Sequence, residues 1–383
     1  MTKREVKFGT RRMKRLTACT AVFIALFSLY TLAQAADTRT TEAVWYFAVS
    51  GDSRNCGDIV MPAIAEKVLA DKAVFYWHLG DFRAINDFDQ DYRQTQPKAT
   101  IAAYQSGAWP DFIEQQLGPF GNLPVYLVLG NHETTPPKTR AELLAQFADW
   151  FASPVLTAQR LRDDPHDHVL KTYYHWIERG VDFVTLDNAS SEQFDDAQLR
   201  WFAGVIQRAA QDLAIKSVVV GMHAALPDSL AIGHSMNDSA QGTMSGRSVY
   251  RRLLEFRRQT HKQVYVLASH SHFVMDNVYA TTCRRGNPET ILPGWIVGTA
   301  GAVRYRLPTD TGGANVARTD VYGYLLATVS ATGDIQFQFK EVKPEGVPEA
   351  TRQKYSEGLV RSCFQENAAQ NVHQGPVQPP SCP

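Results

Sequence analysis

Five short apolar runs, each stopped by a cluster of metal-seeking polar residues, constrain this chain more than any other feature in it. Residues 44–49 lead into Gly51, Asp52, Ser53 and Arg54, and residues 73–79 into Gly80 and Asp81. Residues 125–129 lead into Gly130, Asn131, His132 and Glu133, residues 217–220 into Met222 and His223, and residues 264–268 into Ser269, His270, Ser271 and His272. Each run is rich in Val, Leu or aromatic residues and reads as a buried strand bounded by a turn. Helical spacing between the runs places helices over 59–70, within a helix-rich stretch 100–117, over 140–151, over 199–213 behind the capping pair Asp195 and Gln198, and over 247–258. Residues 173–186 read as a hairpin turning at Arg179 and Gly180. Residues 163–168 and 226–244 read as loops, and residues 295–303 and 321–341 as closing strands. Alternation of strand and helix predicts an α/β domain with a mainly parallel sheet, in which ligands gather at the carboxyl ends of the strands.

What converges at those ends is two Asp, one Asn and three His, a mixture of oxygen and imidazole donors suited to a pair of divalent or trivalent metals. Taken singly, each is an ordinary turn residue or a satisfied polar group. The series of five carries the reading. Its order resembles the calcineurin-like metallophosphoesterase superfamily, which runs Asp-x-His, Gly-Asp, Gly-Asn-His-Asp/Glu, a lone His and Gly-His-x-His. The resemblance covers about residues 44–342, and Gly-Asn-His-Glu followed by His-x-His is its most specific part. It implies a four-layer α/β/β/α sandwich of two facing mixed sheets. It also implies two divalent or mixed-valence metal ions, Mn, Zn or Fe, and attack on phosphorus by a hydroxide that they share. Asp81 would bridge the metals, Asp52 and His272 would complete one site, and Asn131, His223 and His270 the other. His132 matches the general acid for the leaving oxygen, and Glu133 an acceptor that orders the loop. Because His270 and His272 lie two apart on an extended segment, a turn at Ser271 or different ring orientations must send them to separate metals.

Arg54 and Ala84 depart from the family pattern. The superfamily usually has His where Arg54 stands, and the purple acid phosphatase branch compensates for its loss with Tyr at the position of Ala84. Only three protein ligands are evident at the first metal, and water or a residue such as Asn55 must complete it. Arg54 stays protonated and cannot ligate a metal. It is read as a phosphate-binding residue that grips two oxygens, as a structural ion pair, or as the mark of a lost or weakened metal. His234 is a further substrate-binding candidate. His166 and His168 read as solvated, His78 as core, and Arg83 as exposed.

Residues 1–35 combine a basic start, an apolar stretch over 16–32 and Ala33-Gln34-Ala35, the pattern of a secretory signal peptide rather than a membrane span. Its loss removes seven of the 39 Lys/Arg and one of the 39 Asp/Glu, leaving 32 against 38 and a net charge of about −6. That balance argues against a nucleic-acid surface. Cys56, Cys283, Cys363 and Cys382 then remain, an even number that favours disulfides in an exported protein, with three connectivities open. A bridge at Cys56 would tie down a loop of the metal site, and Cys363 with Cys382 could pin the tail. The expected organisation is a signal peptide over 1–35, a metallophosphoesterase domain over 40–342 and a loosely held Pro/Gln-rich tail over 343–383.

The expected function is that of a periplasmic or secreted phosphoesterase acting on a small or macromolecular phosphate ester. Monoesters are favoured because Arg54 could hold one more terminal oxygen. A phosphodiesterase or nucleotide pyrophosphatase, and a catalytically weak or inactive metal-binding relative, are the alternatives.

Overall fold

The computed structural model describes residues 44–365 apart from 191 and 232. The expected signal peptide and Cys382 lie outside the described residues. The strands are β1 (Trp45–Ser50), β2 (Tyr76–His78), β3 (Val125–Leu127), β4 (Tyr174–Glu178), β5 (Val181–Thr185), β6 (Ser217–Gly221), β7 (Gln263–Ala268), β8 (Val274–Asp276), β9 (Gly294–Val297), β10 (Ala317–Arg318), β11 (Tyr322–Val329) and β12 (Ile335–Val342). They form two mixed sheets, one in the order β12-β11-β1-β2-β3 and the other β10-β8-β9-β7-β6-β5-β4. β1, β2 and β3 are mutually parallel, as are β5, β6, β7 and β9, so the carboxyl ends in each set point the same way.

Side-chain alternation explains why the sheets stack. Phe47 and Val49 of β1, Trp77 of β2, Phe183 of β5, Val219 of β6 and Tyr265 and Leu267 of β7 share one buried cluster between the sheets. Their neighbours in sequence, Ala48, Tyr76, Val218, Val220, Val264 and Val266, face the opposite sides, as a period of two requires. Each large side chain withdrawn from water contributes about 1.5–3 kcal/mol, which is why these strands carry apolar residues on both faces.

Helices cover both outer faces. On the first sheet lies α1 (Gly57–Ala70), through Ile59, Val60, Ile64 and Val68. Further along the chain come α2 (Ile101–Phe112), α3 (Arg140–Gln146) and α4 (Pro154–Asp163). α5 (Asp196–Gln211) and α6 (Ala240–Thr260) pack on the second sheet through Phe202, Val205 and Ile206 and through Val249, Leu253 and Phe256. The expected four-layer α/β/β/α arrangement is therefore the one that forms.

Several elements differ from their expected bounds. The helix expected over 140–151 is interrupted at Phe147, α4 forms where no helix was expected, and α6 begins inside the expected loop 226–244. Residues 349–365 are not a loose tail. They form α7 (Glu349–Gln365), broken at Ser356, which buries Tyr355, Val360 and Cys363 against the first sheet and α1. Cys363 pairs with Cys56 rather than with Cys382, so the bridge fixes this helix to the start of α1.

Candidate metal centre

The loops after β1, β2, β3, β6 and β7 bring the candidate ligands to one place. Asp52, Asp81 and His270 have left-handed backbones, with φ of 60°, 59° and 63°. This conformation is uncommon outside glycine, although Asp and His are among the residues that tolerate it. Each strand therefore ends in an abrupt turn at the ligand itself. For the His pair the turn falls at His270, whereas the sequence left open a turn at Ser271 or different ring orientations. Gly80, at φ 97°, admits the close approach of β2 to β3, since a Cβ there would lie 2.6 Å from the Gly130 nitrogen and 2.8 Å from His223 Nδ1.

Two groups of ligand atoms result, one from Asp81, His223 and His270 and one from Asp52, Asp81 and His272, each with its atoms within 4.8 Å of one another. Asp81 belongs to both. Asn131 joins the first group, its Oδ1 3.0 Å from His223 Nε2. His223 Nδ1 lies 2.9 Å from the Leu79 carbonyl and donates to it, so in the neutral ring Nε2 is a bare lone pair. That lone pair faces two acceptors, Asn131 Oδ1 and, at 3.3 Å, Asp81 Oδ1. Acceptors crowded against acceptors in a buried site fit a cation between them.

At the other group, His272 Nδ1 donates to the Val303 carbonyl at 2.5 Å, leaving Nε2 bare and 3.3 Å from Asp52 Oδ1. Asp52 Oδ1 and Asp81 Oδ2 are buried without a hydrogen-bond partner, which also suits a cation. Here one is already nearby. Arg54 places Nη2 3.2 Å from His272 Nε2 and 3.3 Å from the Tyr305 hydroxyl, and Nε 3.6 Å from Asp81 Oδ2. Burial pushes the Asp81 carboxyl up, but His223, His132 and Arg54 outweigh it and hold the group well below the usual carboxylate range. Burial likewise opposes ionisation of Asp52, and the adjacent His272 overcomes it.

His132 Nδ1 donates to the Ala84 carbonyl at 2.5 Å, its backbone N–H donates to Asp81 Oδ1, and its Nε2 lies 3.8 Å from Asp81 Oδ2. Burial holds this imidazole below its ordinary pKa despite the attraction of Asp81. Glu133 accepts from the backbone nitrogens of Asp81, Phe82 and Gly130 at 2.7–2.9 Å, clamping the β2 and β3 loops together. His234 stacks on Tyr305 at 4.5 Å, and Tyr305 on His272 at 3.9 Å. Burial and the nearby His270 and His272 push His234 down to about 3, so its ring is neutral.

Asn55, a candidate to complete the group of Asp52 and His272, instead accepts from the Val303 nitrogen through its side chain. Arg83 is not exposed. It is fully buried among Asp58, Asp89, Asp91 and Asp111. His78 is buried, with Nε2 2.9 Å from the Ser53 hydroxyl, whereas His166 and His168 are exposed. The sequence did not mark Tyr305 or Glu192, whose Oε1 lies 3.0 Å from His270 Nε2. Neither sits in a strand-end cluster, and no spacing signals them.

Among solved structures, the fold is similar to that of a purple acid phosphatase isolated from yellow lupin (Lupinus luteus) seeds. The TM-score is 0.50 at 14% identity, over 78% of this chain and 52% of that one, so the chain spans about half the length of that relative. A structure of PhoD aligns with a TM-score of 0.43 at 13% identity, over 78% of this chain and 72% of that one. No curated protein matches the sequence. The model of the calcineurin-like phosphoesterase family matches residues 52–273, more than half of the chain and the whole span from Asp52 to His272. That family implies a dinuclear metal centre, and Asp81 belongs to both candidate ligand groups. With its ligand series inside the match and its two sheets in the family's arrangement, the chain belongs to the calcineurin-like phosphoesterase family.

Proposed function

We propose that this protein is an exported, metal-dependent phosphoesterase that hydrolyses phosphate esters, with monoesters favoured. The observation that carries the reading is the bare His223 Nε2 facing Asn131 Oδ1 at 3.0 Å and Asp81 Oδ1 at 3.3 Å. Asp81, Asn131, His223 and His270 would hold one metal, and Asp52, Asp81 and His272 the other position. Their nitrogen and oxygen donors suit Mn, Zn or Fe. Bound metal supplies Lewis acidity, which lowers the pKa of water and offsets phosphoryl charge.

The protein's own side chains would do the rest. His132, with Nδ1 committed to the Ala84 carbonyl, has only Nε2 to carry a proton to the leaving oxygen. Geometry of this kind contributes about 10²–10⁴-fold to a rate. Arg54, whose side chain is 18% exposed, would donate to a terminal phosphoryl oxygen, and a monoester offers one more such oxygen than a diester. The neutral ring of His234, stacked on Tyr305, would border the ester group. Export is supported by the Cys56–Cys363 disulfide, and no helix among the described residues is long and apolar enough to cross a membrane.

The test is metal content of the purified protein together with hydrolysis of a mono-aryl and a di-aryl phosphate. Wild type should hold metal and cleave the monoester faster. Asn131→Ala should lose both metal and activity, whereas His132→Ala should keep its metal and lose about 10²–10⁴-fold in kcat. A wild type that holds less than one metal per chain and cleaves neither ester would sink the proposal.

A further inference from the structure

The two bare imidazole nitrogens of this centre meet different surroundings. Among the described residues, His223 Nε2 faces the acceptors Asn131 Oδ1 and Asp81 Oδ1. His272 Nε2 faces a donor, the Arg54 Nη2 at 3.2 Å, as well as Asp52 Oδ1 at 3.3 Å. An Arg side chain does not give up its proton in a protein, so the lone pair that would ligate a metal is taken by a fixed positive charge. The same guanidinium turns Nε towards Asp81 Oδ2, the oxygen of the shared carboxylate that no hydrogen bond satisfies. Arg54 is also held where it stands. Its Nη2 reaches the Tyr305 hydroxyl at 3.3 Å, and Tyr305 is stacked flat on His272 at 3.9 Å and 17°.

We propose that the Arg54 guanidinium takes the place of one of the two cations, so that each chain tightly binds a single metal, at Asp81, Asn131, His223 and His270. The proposal rests on the metal-dependent phosphoesterase reading and specialises it. A divalent ion added beside Asp52, Asp81 and His272 would meet a permanent like charge within a few ångströms and only three side-chain donors. The guanidinium instead neutralises the second oxygen of Asp81 and keeps N–H groups available for a phosphoryl oxygen, a task for which its planar fork is suited. Charge balance is thereby reached with one metal and one arginine.

The experiment is metal counting on the full protein loaded with Mn and freed of excess, together with its electron paramagnetic resonance spectrum. Wild type should retain one Mn per chain and show the spectrum of an isolated ion. Arg54→His, which supplies a ligand where the charge stood, should retain two and show exchange coupling. Arg54→Met, which removes the charge and adds no nitrogen, should admit a second ion more weakly and serves if the His variant does not fold. Two tightly held, coupled ions in wild type would overturn the inference and leave the phosphoesterase reading intact. Less than one would overturn both. A folded Arg54→His protein that still holds one ion would show that Arg54 is not what excludes the second.

Discussion

Glu192 approaches the centre from a loop outside the five strand ends and meets the Nε2 of His270. Its Oε1 is 3.0 Å from His270 Nε2, while its Oε2 is buried without a partner. A carboxylate on Nε2 keeps the proton there, which leaves Nδ1 free and the ring held in one orientation. Residues in this relation to a ligand typically change metal affinity 10–100-fold when removed. Glu192→Ala is therefore expected to weaken Mn binding by about that factor, measured by competition with a chelator, and Glu192→Gln by less. Unchanged affinity in the Ala variant would mean that the contact is incidental. The contrast with the six ligand candidates shows what a sequence makes legible. Asp52, Asp81, Asn131, His223, His270 and His272 each stand at the end of an apolar run and follow a recognisable order. Glu192 and Tyr305 meet His270 and His272 only because tertiary folding carries them there, and nothing in their own neighbourhoods announces it.

Elements were legible where burial imposes a period and obscure where it does not. β1, β6 and β7 alternate between two buried faces, and the hairpin of β4 and β5 turns at Arg179 and Gly180 with φ of 46° and 80°, as expected. α6, in contrast, looked like a loop in its first turns because it is rich in Gly and Ser. A Cβ at Gly246 would strike the Pro227 ring and lie 3.1 Å from Met236 Sδ, so packing sets the composition there. α4 was missed because only Leu156 and Gln159 are buried on it, too few to make a stripe. What fixes α4 is polar: His175 of β4 bridges Asp163 at the end of α4 and Asp182 of β5, at 2.5 and 2.7 Å. Burial pushes His175 down, but the two carboxylates outweigh it and raise its pKa to about 9 from an ordinary 6.5. The folded state thus binds this proton more tightly than the unfolded chain. The resulting stability, on the order of 3 kcal/mol, is fully present below about pH 6.5, declines from there, and is gone above about pH 9. Denaturant unfolding of wild type and His175→Gln at pH 6 and pH 9.5 should show a gap that narrows at the higher pH. A gap independent of pH would assign the bridge no electrostatic role.

Across the whole molecule, the candidate centre adjoins a segment that the sequence presents as a loosely held tail. Cys56 directly follows the loop of Asp52 and Arg54, and its disulfide to Cys363 spans 307 residues of sequence. The same contact zone has Tyr355 of α7 donating to Asp58 of α1 at 2.8 Å, Asp58 pairing with the buried Arg83, and Arg304 donating to the Cys363 carbonyl at 3.1 Å. Arg83 is only two residues from Asp81, so α7 braces both loops that carry the aspartates. The sequence shows five cysteines, four of them beyond the expected signal peptide, but not their pairing, because connectivity depends on which segments the tertiary fold brings together. Closing so long a loop restricts the unfolded chain, and native disulfides are typically worth about 2–5 kcal/mol. Cys56→Ser with Cys363→Ser together should therefore lower Tm relative to the oxidised wild type. Because the bridge holds the Asp52 loop and not only the helix, the double variant should also release Mn more readily at a temperature where it is still folded. Loss of thermal stability with unaltered metal retention would confine the bridge to holding the end of the chain. Loss of both would make α7 part of the support of the metal centre, although none of its side chains reaches a ligand.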